Sequence, residues 1–274
     1  VKRFVDVPGG RLWVADDGAG PPIVLLHAGI ADQRAWDPMI PGLVAAGYRA
    51  VRYDGRGSGR SETEDVAFSN RDDVLAVMDA LGIQRAALLG NSAGGQIAID
   101  AAIERPDRVV AVIGVGAGVG GFEGDLTDEE QALIDEMERL EEAVPLDVDA
   151  LVDLDLRLWV AGTRRSLDAV DPGVISLVGE MDRLANTPGR ERGRPIPLRP
   201  RAADQLDRLR CPVLAIAGDL DISDVAQTAR HLERHAPDAR AMVVPGVAHL
   251  VGLEIPDRLV EIVVDFLRPL TRWD

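Results

Sequence analysis

The sequence predicts an α/β fold: an open, mostly parallel, doubly wound sheet with helices on both faces and one inserted helical segment. Three observations predict it. Short continuous apolar runs alternate with amphipathic helical stretches, the pattern of strands buried on both faces and covered by helices. The alternation stops from about 121 to 203, where the chain becomes acidic, helical and strand-poor. Finally, "LLGNSAGG" at 88–95 sets Ser92 between Gly90 and Gly94, after an apolar run and before a helical one.

The elements follow in order. "RFVDV" and "RLWVAD" flank "PGG" and read as a hairpin. "PPIVLLHA" is a buried strand, followed by "AVRYD" at 50–54, "AALLGN" at 86–91, "VVAVIGV" at 109–115, "PVLAIAG" at 212–218 and "RAMVVPG" at 240–246. Between them, "NRDDVLAVMDALG", "GGQIAIDAAIERP", "DVAQTARHLERHA" and "PDRLVEIVVDFLR" read as helices. "TDEEQALIDEMERLEEAV" opens the inserted segment, with Thr127 and Glu130 spaced as a capping box. Leu133, Met137, Leu140 and Val144 form its apolar stripe. "GRERGRPIPLRPR" leads back to the sheet. The expected division is a core of 1–120 and 204–274, with 121–203 as a helical cap over one end of the sheet.

Composition narrows the function. The 274 residues are 46% hydrophobic, enough for a full core. A net charge of −16 argues against a nucleic-acid surface, which needs clustered cations. The acidity implies solubility and repulsion between copies, and a monomer or homodimer is expected. Cys211 is the only cysteine, so no internal disulfide forms. No apolar run is long enough to span a membrane, and "VKRFVDVPGG" carries no signal-peptide core. A cytoplasmic setting is therefore expected. Lys2 is the only lysine, which argues against Schiff-base, pyridoxal and Ser–Lys chemistry, and no Walker "GK[ST]" occurs. A histidine base must be His27, His231, His235 or His249.

In open parallel sheets, ligands bind beyond the carboxyl ends of the strands. Ser92 falls at such an end. A sharp strand-to-helix turn pushes its hydroxyl above the sheet, and glycines two residues to either side relieve the crowding. The helix starting near Ala93 points its first N–H groups at the same spot, where they can stabilise an oxyanion. With 28 Gly and 7 Ser in the chain, chance gives ~0.07 occurrences of G-x-S-x-G, so the motif reads as a nucleophile turn. In this turn type the acid and then the histidine follow the serine. His249, in "VVPGVAHLVG", stands just past a strand and fits the base. "AIAGDLDISD" offers Asp219, Asp221 and Asp224 as the orienting carboxylate, and spacing alone leaves the three open. His231 and His235 lie one helical turn apart, but "HLERH" has neither zincin spacing and no third ligand, so they read as a solvated helix face. No metal and no organic cofactor is expected.

"VLLHAGIADQRAWDPMI", "YRAVRYDGRGSGRSE", "LLGNSAGGQIAI", "GDLD" and "PGVAHL" together resemble the α/β-hydrolase superfamily, in its small capped esterase, lactonase and epoxide-hydrolase-like branch. The resemblance covers nearly the whole chain outside the insertion. It implies a Ser-Asp-His triad of Ser92, Asp221 (from G-x-x-D) and His249 (from G-x-x-H), and an oxyanion hole from the N–H groups of Ala93 and Gly29, with Ile30 as the near alternative to Gly29. The family's usual His-Gly is His27-Ala28 here, which alters that loop's freedom; His27 itself reads as a buried structural residue. Dehalogenases and epoxide hydrolases of the family use Asp as nucleophile. The Ser implies acyl transfer to water, on a small-molecule ester or lactone. "GNSAGG" also resembles the elbow of hydrolases that cleave C–C bonds in diketones, although those often carry an aromatic residue where this chain has Leu250. "DQRAW" resembles the enol-lactonase-like members, with Asp32 and Arg34 read as a structural pair. Ile30, Trp36, Phe122, Trp159 and Leu250 are the candidate substrate-binding residues, with Met181 and Leu184 as further apolar lining; Trp36 reads equally as core or pocket wall, and Phe122, Trp159, Met181 and Leu184 equally as ordinary helix packing.

Two other classes compete. "GAGVGG" at 116–121 fits G-x-G-x-x-G after a strand, but no helix opens at its third glycine and the next helix start is acidic. "DGRGSGRS" at 54–61 reads as turns rather than a phosphate loop. A ligand-binding receptor on a hydrolase scaffold is the other alternative, because fold alone does not fix function.

Overall fold

The computed structural model describes residues 1–270 and 273. Its strands are β1 (Lys2–Val7), β2 (Gly10–Gly18), β3 (Pro22–Leu26), β4 (Arg49–Tyr53), β5 (Glu62–Thr63), β6 (Ala67–Phe68), β7 (Ala86–Asn91), β8 (Val109–Val115), β9 (Arg194–Pro195), β10 (Val213–Gly218) and β11 (Ala239–Val244). The helices are α1 (Ile40–Ala45), α2 (Asn70–Ala80), α3 (Ala93–Glu104), α4 (Asp128–Glu141), α5 (Val148–Asp155), α6 (Pro172–Ala185), α7 (Ser223–His235), α8 (Val251–Glu254) and α9 (Pro256–Leu267). The main sheet runs β1-β2-β4-β3-β7-β8-β10-β11, with β5 attached to β2. The β1–β2, β2–β4 and β2–β5 pairs are antiparallel, and the run β4-β3-β7-β8-β10-β11 is parallel.

The sheet's two faces explain why its central strands lack an apolar–polar alternation. Val24 and Leu26 of β3 and Leu88 of β7 point into a core formed with α2, α3 and α7. Their neighbours Ile23, Leu25, Ala87 and Leu89 point the other way, onto α1, α8 and α9. Because successive side chains alternate sides, a strand covered on both faces must be apolar throughout.

Between β8 and β10 the chain forms α4, α5 and α6. Thr127 caps α4 in a capping box: its Oγ1 accepts from Glu130 N–H, and Glu130 Oε2 accepts from Thr127 N–H. The expected apolar stripe is shorter than the spacing suggested. Leu133, Ile134 and Met137 pack on the core, while Val144 lies past the end of α4 and is 96% exposed. After α5 the chain continues as a π-helical turn over Leu156–Ala161. A third apolar cluster joins this segment to the core: Val152, Leu156, Val160 and Met181 meet Ala28, Ala31, Leu250 and Leu253. Several short elements escaped the periodicity, namely β5, β6, β9, α8, α1 and the 3₁₀ turn Gln33–Met39 that precedes it. Each is too short to show a period.

Candidate active site

The chain leaves β7 and turns into α3 at Ser92, with φ +55° and ψ −118°. No other non-glycine residue among those described has a positive φ. Such a conformation costs on the order of 1–3 kcal/mol and persists only where surroundings enforce it. They do so here by close backbone approach. A Cβ on Gly90 would lie 2.2 Å from Gly94 O, and one on Gly94 would lie 2.2 Å from Leu26 O. The elbow and the end of β3 are thus in contact that only glycine permits.

The other elements converge on this point. Asp221 follows β10, and His249 follows β11. His249 Nδ1 lies 2.7 Å from Asp221 Oδ2. Asp221 is in turn fixed by Ile222 N–H, which donates to its Oδ1 at 2.9 Å. Both side chains are buried. With Nδ1–H donating to the carboxylate, Nε2 is left as the free acceptor, the tautomer a general base needs. The two rival carboxylates are engaged elsewhere: Asp219 Oδ1 accepts from Gly246 N–H at 2.6 Å, and Asp224 Oδ1 accepts from Gly124 N–H and Thr228 Oγ1.

Two positions at this site were missed in the sequence. Asn91, the residue before Ser92, donates from Nδ2 to Val115 O at 2.9 Å and to His249 O at 3.1 Å, so the end of β7 holds the His249 loop directly. Gly116, with φ +56°, lies beneath the imidazole; a Cβ there would come within 2.9 Å of His249 Cε1 and Nδ1. The nucleotide-like "GAGVGG" thus begins as packing room for His249. Asn91 sat in plain view inside the motif, but its partner is a backbone carbonyl 158 residues away, which no local pattern reveals.

Ser92 and His249 open on one cavity of about 230 Å³. Ala28, Gly29, Ile30 and Ala93 complete its core side; Met137, Glu141, Asp155, Trp159, Asp182 and Asn186 line the opposite side, with Arg192. Of the five candidate substrate-binding residues, Ile30 and Trp159 line this cavity. The other three do not. Trp36 is buried with Met39, Leu43 and Leu259 in the core beneath α9. Leu250 packs in the cluster that joins the inserted segment to the core. Phe122 stacks on His231, ring centroids 3.9 Å apart. An aromatic side chain satisfies any nearby apolar surface, and composition does not say which. Met181 is buried, its sulfur accepting from Asp32 N–H at 3.4 Å, and Leu184 lines a separate groove with Arg34 and Glu180.

The remaining expectations are placed as follows. Gly29 is exposed at the cavity, and a Cβ there would meet nothing within 4 Å. Ala28, where the family has glycine, is buried without a left-handed backbone, so no strain attends it. His27 is half-buried rather than buried; its Nε2 accepts from Gly55 N–H at 2.8 Å. Asp32 and Arg34 form a bidentate pair at 2.9–3.0 Å, and Arg34 also reaches Glu180 at 2.6 Å. His231 is half-buried under Phe122, not solvated; His235 beside it is exposed. Among the described residues, no group of three or more His, Cys, Asp or Glu is arranged to hold a metal ion, and no helix is long and apolar enough to cross a membrane.

The far wall of the cavity is electrostatically unusual. Burial, reinforced by the negative charge of Asp182, pushes the Asp155 carboxyl up to about 8. Burial likewise raises Asp182, against the pull of Arg192 and Arg183.

A family model of the alpha/beta hydrolase fold matches residues 21–164, over half of the chain, and the chain belongs to that family. It is 37% identical over 138 residues to epoxide hydrolase B of Mycobacterium tuberculosis, covering 45% of this chain and 39% of that protein. It is 37% identical over 115 residues to the 2-hydroxy-6-oxo-6-phenylhexa-2,4-dienoate hydrolase of Burkholderia cepacia, covering 39% of this chain and 40% of the other. The chain thus matches about two fifths of the length of these curated relatives. In three dimensions it is similar to the enol-lactonase of Burkholderia xenovorans LB400, with TM-score 0.77 and 24% identity, covering 97% of this chain and 100% of that one. At that identity the likeness is one of fold.

Proposed function

We propose that the protein is a serine hydrolase that cleaves a small carboxylic ester or lactone through an acyl-enzyme. The observation that carries this reading is the convergence of three chain segments. Ser92 stands at a strained elbow, and His249, paired with Asp221 at 2.7 Å, opens on the same cavity.

His249 Nε2 takes the proton of Ser92 as Oγ attacks the carbonyl carbon. Asp221 stabilises the imidazolium that forms and keeps its orientation. The N–H groups of Ala93, at the start of α3, and of Gly29 receive the oxyanion. The imidazolium then gives its proton to the leaving alcohol or lactone oxygen. Water, deprotonated by His249, attacks the acyl-enzyme and releases the acid. Residues 121–203 act as the cap, and its side chains in the cavity select the acyl group. A serine nucleophile also argues against epoxide opening: attack on an epoxide carbon would leave an ether, which has no carbonyl for water to attack.

The test is a panel of activated esters and lactones, with a diketone for the C–C-cleaving alternative and Ser92→Ala as control. Ser92-dependent multiple turnover of an ester or lactone is expected. Thermal stabilisation by these compounds without turnover would replace the hydrolase with a ligand-binding protein.

A further inference from the structure

The acyl-transfer steps leave one feature of the cavity unused. Asp155, at the end of α5, and Asp182, in the last turns of α6, are 4% and 2% exposed and line the same cavity, and each carboxyl acts on the other. Two neighbouring buried carboxyls do not both ionise, so one of them keeps its proton. The partners of Asp182 agree. Its Oδ1 accepts from Asn186 Nδ2 at 2.8 Å, while its buried Oδ2 meets no N–H or hydroxyl donor among the described residues. A proton on Asp155 supplies the missing donor.

The pair connects to the histidine through Trp159. Asp155 Oδ1 accepts from Trp159 Nε1–H at 3.1 Å, one helical turn further along. The indole lies against the His249 ring, centroids 4.7 Å apart, and Trp159 O accepts from His249 N–H at 3.3 Å. Trp159 sits in the π-helical turn Leu156–Ala161. A single π turn rotates the following side chains out of the α-helical register, and such turns recur at functional sites.

We propose that Asp155, protonated beside Asp182, is a positioning residue that acts through Trp159 to hold the His249 imidazole over Ser92, and that loss of that proton releases this hold. The inference rests on the serine-hydrolase reading for its catalytic consequence. Beyond the pair, Glu141 of α4 adds negative charge toward both carboxyls, while Arg183 of α6 and Arg192 of the returning chain add positive charge toward Asp182. Burial outweighs these and keeps Asp155 protonated through neutral pH. At alkaline pH the two neighbouring carboxylates repel, Asp182 Oδ2 loses its donor, and the side chain that anchors Trp159 shifts.

The experiment combines a pH profile with an optical readout. Asp155→Asn retains an oxygen for Trp159 and an N–H for Asp182 but cannot titrate. Trp159→Phe keeps a ring on His249 but has no N–H to follow Asp155. In the wild type, kcat but not KM is expected to fall severalfold with a midpoint near pH 8. The Trp159 fluorescence, taken as wild type minus Trp159→Phe, is expected to titrate with the same midpoint. Both transitions vanish in Asp155→Asn, and the kcat transition also vanishes in Trp159→Phe. A Trp159 signal that is flat from pH 6 to 10, or a kcat transition that persists in Asp155→Asn, overturns the proposal. Absence of Ser92-dependent turnover overturns instead the hydrolase reading and the catalytic half of this inference; the fluorescence titration still reports whether the pair governs Trp159.

Discussion

The two walls of the cavity are built by opposite means. The core wall is set by backbone. Gly90 and Gly94 let the elbow touch itself and β3, Asn91 ties β7 to the histidine loop through main-chain carbonyls, and Gly116 clears space beneath His249. The helical wall is set by side chains: the Asp155–Asp182 pair, Arg165 with Glu254 at 2.7 Å, and Glu130, which reaches across to Ser223 N–H at 2.9 Å and to its hydroxyl at 3.1 Å. Backbone contacts at van der Waals limits tolerate almost no change, whereas side-chain pairs can be exchanged for others. On the proposed reading, the first wall keeps the chemistry constant while the second adapts to the substrate.

The largest expected effect is on the core wall. Ser92→Ala should lower kcat by about 10⁴-fold or more, since members of a triad act as a unit, with circular dichroism and Tm near wild type. A folded variant that keeps near-normal activity would falsify the nucleophile assignment. Next comes the choice of acid. Asp221→Asn should cost about 10⁴ in kcat, because the amide fixes the wrong imidazole tautomer. Asp219→Asn retains an oxygen for Gly246 N–H and should change kcat less than tenfold. Asp224→Asn, whose carboxylate links Gly124 and Thr228, should act on stability more than on kcat. A dominant loss at either of these two would move the orienting role away from Asp221.

The same contrast accounts for what the sequence disclosed. Long strands buried on both faces, helices with a clear period, and the elbow glycines all leave local signatures, so the sheet, its helices and the sharp turn at Ser92 were legible. Asp221 was not separable from Asp219 and Asp224 by spacing, because three carboxylates within six residues differ only in where their loop points; family resemblance chose among them. The pocket residues fared worst. Trp36, Phe122 and Leu250 are apolar and near the site in sequence, yet each packs elsewhere: Trp36 in the core under α9, Leu250 in the joining cluster and Phe122 on His231. Asp155 and Asp182 drew no notice, because a buried acidic residue looks like a solvated one until its surroundings are known.

A smaller effect tests whether the elbow glycines are steric necessities. Gly94→Ala places a methyl 2.2 Å from Leu26 O, a main-chain atom that cannot rotate away. Overpacking of this kind costs about 3 kcal/mol, or roughly 5–10 °C in Tm for a chain of this size. Gly29→Ala, with open space around the added methyl, should leave Tm unchanged. Equal Tm values for the two variants would remove the steric account of the elbow.

On the helical wall, the carboxyl pair should show its cost in the pH dependence of stability. Asp155 is raised from an unfolded value near 3.8 to about 8 in the folded state. Between those values the folded chain binds the extra proton, so its contribution to stability falls as pH rises and levels off above about 8. Asp155→Asn removes this penalty. Its Tm should match or slightly exceed wild type at pH 5, and the gain should grow toward pH 8, reaching on the order of 4 kcal/mol. A Tm difference that is constant over this range would mean that the pair does not hold a proton.

The smallest effect lies where the two walls meet. Thr127 and Glu130 share a capping box, but their duties differ. Thr127 satisfies only an N–H within the first turn of α4, whereas Glu130 also accepts from Ser223, two residues after Asp221. Those bonds outweigh burial and hold the Glu130 carboxyl below its usual range. Its contribution is therefore present above that range and lost as pH falls through the lowered value. Thr127→Ala should cost about 1 kcal/mol, as loss of an N-cap does, leave kcat unchanged, and be restored by Thr127→Ser. Glu130→Ala should cost more, and by loosening the Asp221 loop it should also lower kcat severalfold. If the two substitutions proved equal in both Tm and kcat, Glu130 would be a helix cap alone, and the helical wall would not be fastened to the acid loop at this point.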